Sequence, residues 1–147
     1  MTIPIKTEEE IEKMRVAGRL AADVLVMLGD HVKPGVTTRE LDDIAHQYMT
    51  DVQGTVPATL DYHGFPKSMC TSINHVVCHG IPCDEDVLQD GDIVNIDVTV
   101  IKDGYHGDTS KMFLVGDVSL EDKRLCRVTQ ESLYHAIKKG EAWCHRR

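Results

Sequence analysis

Two carboxylates and the segment that joins them carry the strongest chemical signal in this sequence. In Asp92 to Val115, DIVNIDVTVIKDGYHGDTSKMFLV, Val94, Ile96, Val98 and Val100 alternate with Ile93, Asn95, Asp97, Thr99 and Ile101. That period-two pattern, rich in β-branched residues, predicts a strand. Asp103-Gly104 follows, a pair suited to a type I′ hairpin turn because both central residues of that turn need positive φ. With those two residues as the loop, Thr99 faces Asp108 across the ladder, and Asp97 and Asp108 become diagonal neighbours on one face. The opposite face, Val94 to Val100, is aliphatic and belongs in a core. A slip of one residue, or a bulge at Gly107, would break this facing arrangement. Converging carboxylates repel unless a cation neutralises them. Paired hard oxygen donors suit divalent metals, and a two-metal centre can generate hydroxide from water. A pair of aspartates on a solvated sheet face, without chemistry, is the reading that spacing alone leaves open beside it.

Other residues bear on chemistry less directly. The loop TVPATLDYHGFPKS, Thr55 to Ser68, gathers Tyr62, His63 and Phe65 between prolines and a glycine, where aromatics either wall a pocket or plug a core edge. His79 sits in a turn bounded by Gly80 and Pro82; such a histidine is either a satisfied surface residue or a hydrogen-bond donor aimed at a substrate. Cys78, His79 and Cys83 (CHGIPC), with Cys144-His145, match no regular zinc knuckle, so the cysteines read as small buried thiols. Five cysteines without a secretory leader point to reduced thiols.

The elements that must position these residues are legible in outline. Thr7 with Glu10 forms a capping box, and Ile11, Met14, Ala17/Gly18, Ala21, Val24/Leu25 and Leu28 recur at helical spacing, predicting a helix to about Asp30. Thr37 with Glu40 opens a second helix, through about Val52, with Leu41, Ile44, Ala45 and Tyr48 on one face. Both are expected to cover one face of a sheet. Met69 to Cys78 is expected to be strand-rich with a turn near Asn74. A third helix opens at Ser119 and stops at Gly140, with Leu120, Leu125, Val128, Leu133 and Ile137 as its expected buried positions.

The length of 147 residues suits one domain that buries about two-thirds of its unfolded surface. A net charge of −8 argues against sequence-independent nucleic-acid binding, which needs a basic surface. The opening MTIPIKTEEE lacks the apolar run of a signal peptide, and no stretch has the length of a membrane span, so a cytoplasmic protein without membrane association is expected.

The runs YHGFPKSMCTSINHVVCHGIP and DGDIVNIDVTVIKDGYHGDTSKMFLVG, with IEKMRVAGRLAA before them and RLCRVTQESLY after, closely resemble the short bacterial type I methionine aminopeptidases. The resemblance implies an α+β chain, the N-terminal half of a pita-bread fold, in which helices cover an antiparallel sheet. It implies removal of the N-terminal methionine from nascent polypeptides by a pair of divalent ions (Co, Mn, Fe or Zn). Asp97 and Asp108 would be metal ligands, His79 the catalytic histidine that hydrogen-bonds substrate near the scissile amide, and Tyr62, Phe65 and Cys70 the lining of the methionine pocket. His63 would lie at its entrance. The implied partners are peptides with N-terminal methionine, including chains emerging from the ribosome.

The resemblance runs to about Lys139, so residues 1–139 read as the N-terminal half of the family's domain and 140–147 as a non-matching tail. The family's second half supplies a histidine and two glutamates to the same metals. The chain therefore reads as truncated: with two aspartates it is expected to hold metal weakly or not at all, and to form a homodimer through the surface the second half would cover. The alternative function is a non-catalytic pita-bread fragment, an interaction module or an inactive truncated product.

Overall fold

A computed structural model describes residues 4–140. Its first two helices begin where their side chains satisfy the free backbone N–H groups of a helix start. Helix α1, Glu8–Leu28, is capped by Thr7, whose hydroxyl accepts from the Glu10 N–H at 3.3 Å while the Glu10 carboxylate accepts from the Thr7 N–H at 2.7 Å. Helix α2, Thr38–Gln47, repeats the device with Thr37 and Glu40. The predicted second helix does reach Val52, but its last turn, Tyr48–Val52, is π-helical.

The sheet is built on strand β3, Ile93–Lys102. Strand β4, Tyr105–Leu114, runs antiparallel along its whole length, with Thr99 opposite Asp108 as the turn chemistry requires. Asp103 and Gly104 take positive φ (51° and 82°), and no bulge interrupts the ladder at Gly107, which pairs with Val100. The other edge of β3 is shared by two short strands. Strand β1, Val56–Pro57, pairs with Val100–Ile101, and strand β2, Cys70–Ile73, pairs with Val94–Asp97. Extended pairing ends at Ile73, and Asn74 takes φ 49° in the turn, so the predicted strand-rich stretch yields one strand only in its first half.

Val94, Ile96, Val98 and Val100 are fully buried, packed with Ala21, Val24, Leu25 and Leu28 of α1 and Leu41 and Ala45 of α2. Because side chains alternate across a strand, this burial leaves Asp97 and Thr99 on the opposite face. Helix α1 lies directly on β3 and β4 because Gly107 has no side chain: a Cβ there would sit 2.0 Å from the Ala17 carbonyl oxygen. The helix's predicted apolar stripe is only partly buried, since Ile11 and Met14 in its first turns are largely exposed.

Two expectations are overturned. Helix α3, Leu120–Lys139, forms as predicted with Ser119 as its cap, but none of its residues is buried. Leu120, Leu125, Val128, Leu133 and Ile137 are 45–83% exposed, because no described element packs along their face. The periodicity marked an amphipathic helix correctly and its partner wrongly. The cysteines are not uniformly buried: Cys70 is buried, Cys83 and Cys126 are half-buried and Cys78 is exposed, all with free thiols. Cys78 lies in the segment between β2 and β3 that leaves the sheet. Cys144 and His145, with most of the expected tail, lie outside the described residues.

The contact at Gly107 provides a paired test. Gly107→Ala is expected to cost about 3 kcal/mol or more, because the Ala17 backbone cannot yield without moving α1 off the sheet. Gly18→Ala, where an added Cβ meets nothing within 4 Å in a helix interior, is expected to stabilise by up to about 1 kcal/mol. Urea unfolding of the two variants checks both signs.

Candidate functional site

The face of the sheet opposite the core forms the floor of an open cleft of about 710 Å³. Asp97, Thr99, Asp108 and His106 contribute to the floor; Ala58, Thr59, Tyr62, His63, Gly64, Phe65 and Pro66 form one wall; Cys70, His79 and Ile81 complete it. All seven residues singled out from the sequence thus meet in one cavity. The register accounts for it: Cys70 is opposite Asp97, and Asp108 is opposite Thr99, two residues along the same face.

The aromatic wall is held by hydrogen bonds that begin on the sheet. The Ala58 N–H donates to the Thr99 carbonyl at 2.9 Å, and the Thr59 hydroxyl to the Ser68 carbonyl at 2.6 Å. Between these anchors Asp61, His63 and Gly64 all take positive φ in a short 3₁₀ turn, turning Tyr62 and His63 into edge-to-face contact with ring centroids 4.4 Å apart. Left-handed backbone at non-glycine residues costs energy and persists only where surroundings impose it. The buried Asp42 of α2 anchors the C-terminal end of this loop. Its carboxylate accepts from the Ser68 and Met69 N–H groups at 2.9 and 3.1 Å, with Lys67 Nζ 3.7 Å away. Burial holds the Asp42 carboxyl above its ordinary pKa, against the pull of those donors. His46 Nδ1 and the Ser68 hydroxyl, 2.7 Å apart, tie the same segment to α2.

His79 is placed by its neighbour. Gly80 packs so close to β2 that a Cβ on it would lie 1.9 Å from the Thr71 carbonyl oxygen. The Thr71 N–H donates to the Gly80 carbonyl at 3.0 Å, and the Gly80 N–H to the Ser72 hydroxyl at 3.3 Å. This pinning delivers His79, at φ 56°, into the cleft beside Asp97.

The electrostatics follow from burial and like charge. The Asp97 carboxyl is raised above its ordinary range, first by desolvation and then by the neighbouring Asp108, while His79 pulls it back. The Cys70 thiol is pushed up to about 11, mainly by burial and then by Asp97, so it is an uncharged apolar wall at neutral pH. Among the described residues, no lysine or arginine lines the cleft. A divalent cation would offset both the desolvation and the like charge that raise Asp97, and two carboxylates are suitable hard donors. They are an incomplete shell: among the described residues no group of three or more His, Cys, Asp or Glu side chains is arranged to hold a metal ion.

Sequence reasoning missed Ala58, Thr59, Thr99, His106, Ile81 and the anchoring Asp42. For Thr99 and His106 a signal was available, since strand parity puts them on the face of Asp97 and Asp108. Asp42 gave none, because a helical aspartate looks solvated until its burial is known.

An α+β chain whose sheet carries paired carboxylates under an aromatic wall has close relatives. The model of metallopeptidase family M24 matches residues 12–142. The chain belongs to that family. Its architecture is the N-terminal half of the pita-bread fold. Among curated proteins it is similar to the methionine aminopeptidase of Escherichia coli strain K12, 66% identical over 138 residues, which is 94% of this chain and 52% of that protein. The methionine aminopeptidase of Haemophilus influenzae is 60% identical over 139 residues, again 52% of its length. The crystal structure of methionine aminopeptidase from Rickettsia prowazekii superposes with a TM-score of 0.88 at 57% identity, covering 90% of this chain and 53% of that one. That from Thermotoga maritima gives 0.90 at 36% identity, covering 95% and 56%. The chain therefore spans about half the length of the relatives it matches.

The raised Asp97 carboxyl dictates a pH dependence. A carboxyl whose folded pKa exceeds its unfolded value binds its proton more tightly when folded. Stability is therefore lost as pH rises from near the ordinary 3.8 through the folded pKa. With metal chelated, Asp97→Asn is expected to melt above the parent chain at pH 7 and to lose that advantage below about pH 4. Thermal unfolding at both pH values in EDTA checks it; a lower melting temperature for the variant at pH 7 would refute the repulsion.

Proposed function

We propose that this chain supplies the methionine pocket and two of the metal ligands of an aminopeptidase that removes N-terminal methionine from peptides and nascent polypeptides. The observation that carries this reading is the single cleft in which Asp97 and Asp108, diagonal neighbours on one sheet face, lie beside an apolar wall of Tyr62, Phe65 and Cys70 and a histidine, His79. The relatives' names support the substrate class.

In this reading the thioether side chain enters the apolar end, where an uncharged Cys70 and two aromatic rings match its polarizability and shape. His63, edge-on to Tyr62, narrows the entrance. His79 donates an imidazole N–H to the oxygen of the first peptide carbonyl as charge develops there. Asp97 and Asp108 would hold divalent metal, which would supply hydroxide at neutral pH and polarise the carbonyl. The substrate's free N-terminal amine would coordinate the same metal. A site that uses the free amine acts only at the N-terminus.

The test is release of methionine from Met-Ala-Ser by the purified 147-residue chain with Mn²⁺, Co²⁺ or Fe²⁺. Release by this chain alone is expected to be weak or absent; any that occurs requires the metal, and is expected to fall at least about 100-fold in Asp108→Asn and comparably in His79→Ala. No release with any of the three metals would refute catalysis by this chain alone.

Self-association belongs to the same proposal, supported by the exposed apolar stripe of α3. Sedimentation at micromolar concentration is expected to show a dimer that Leu125→Glu with Leu133→Glu converts to monomer. A compact monomer of the unaltered chain at that concentration overturns it.

A further inference from the structure

The cleft contains a third imidazole, that of His106, with no role in the scheme above. Its position is set by the same register. His106 is opposite Ile101 on β4, two residues beyond Asp108 and on the same face. The aromatic wall is attached to the other edge of β3, through the Ala58–Thr99 hydrogen bond and the β2 ladder, and His79 sits against that edge as well. The carboxylates therefore have the apolar wall and His79 on one side and His106 alone on the other. Asp108 and His106 are about 7 Å apart along the strand, the span of two residues of an extended peptide.

We infer that His106 is a substrate-binding residue for the part of the peptide beyond its first residue. The inference rests on the reading that an N-terminal methionine side chain fills the apolar end. With that side chain against Tyr62, Phe65 and Cys70 and the first peptide bond over Asp97 and Asp108, the second and third residues pass over β4. The His106 ring meets their main chain there. A neutral imidazole carries one donor and one acceptor, and main-chain N–H and C=O groups recur in every peptide. The contact therefore grips a polypeptide whatever its downstream sequence and gives free methionine nothing to hold. One such hydrogen bond corresponds to about a fivefold change in affinity.

The experiment uses the 147-residue chain, labelled with ¹⁵N and with ¹³C in its histidine rings, in EDTA at pH 7.5. It is titrated separately with methioninamide and with the amide of Met-Ala-Ser. Both ligands are expected to shift the backbone resonances of Phe65 and Cys70, and only the tripeptide to shift the His106 ring. His106→Ala is expected to weaken the tripeptide about fivefold and leave methioninamide unchanged, and His106→Gln, which keeps a donor and an acceptor, to restore most of the loss. If the tripeptide shifts Phe65 and Cys70 but not the His106 ring, or if His106→Ala binds both ligands as the parent does, the inference is overturned and the methionine pocket stands. If neither ligand shifts Phe65 or Cys70, the pocket reading and the inference fall together.

Discussion

The site depends first on the pairing register of β3 and β4. Asp103 and Gly104, both in left-handed conformations, close a two-residue turn, and every partner along the ladder follows from that closure. Moving the register by one residue would carry the aliphatic set Val94 to Val100 into solvent and Asp97 into the core. Hydrophobic burial and the facing carboxylates are thus two results of one constraint. The core stabilises the register, and the register half-buries Asp97 beside Asp108, so that desolvation first and the neighbouring charge second raise its carboxyl.

Two glycines then bring the surrounding elements close enough to matter. Gly107 lets α1 lie on the sheet at a separation no side chain would allow, which closes the core beneath the site. Gly80 does the same for the turn that carries His79, pressing it against β2. In each case the missing side chain positions something else. The aromatic wall is secured differently, through a buried carboxylate: Asp42 accepts two backbone N–H groups at the start of β2 and so fixes the loop from Thr59 to Ser68. Burial raises the Asp42 carboxyl, and the two backbone N–H groups and Lys67 oppose that rise.

The chain spans about half the length of the relatives it matches. Half of a metallopeptidase scaffold brings together a side-chain pocket, a histidine and two carboxylates. Among the described residues it does not bring together three metal donors. The exposed apolar stripe of α3 is a matching feature, an amphipathic face with no described partner.

Much of this was legible in the sequence because it depends on local rules. Capping boxes at Thr7 and Thr37, the Asp103-Gly104 turn and strand alternation act over a few residues, and they yielded two helices, the hairpin and the shared face of Asp97 and Asp108. Dense motif resemblance added the family and the names of the pocket residues. What only the tertiary structure decided concerns residues far apart in the chain. Periodicity marks which face of a helix is apolar but not whether anything lies against it, so α3 was expected to be buried and is exposed. Composition cannot distinguish a solvated helical aspartate from Asp42, held across 26 residues by the backbone of Ser68. His106 became part of the site only once the cleft had an edge. Local sequence sets which way a side chain can point; what it meets there is set by packing between distant segments.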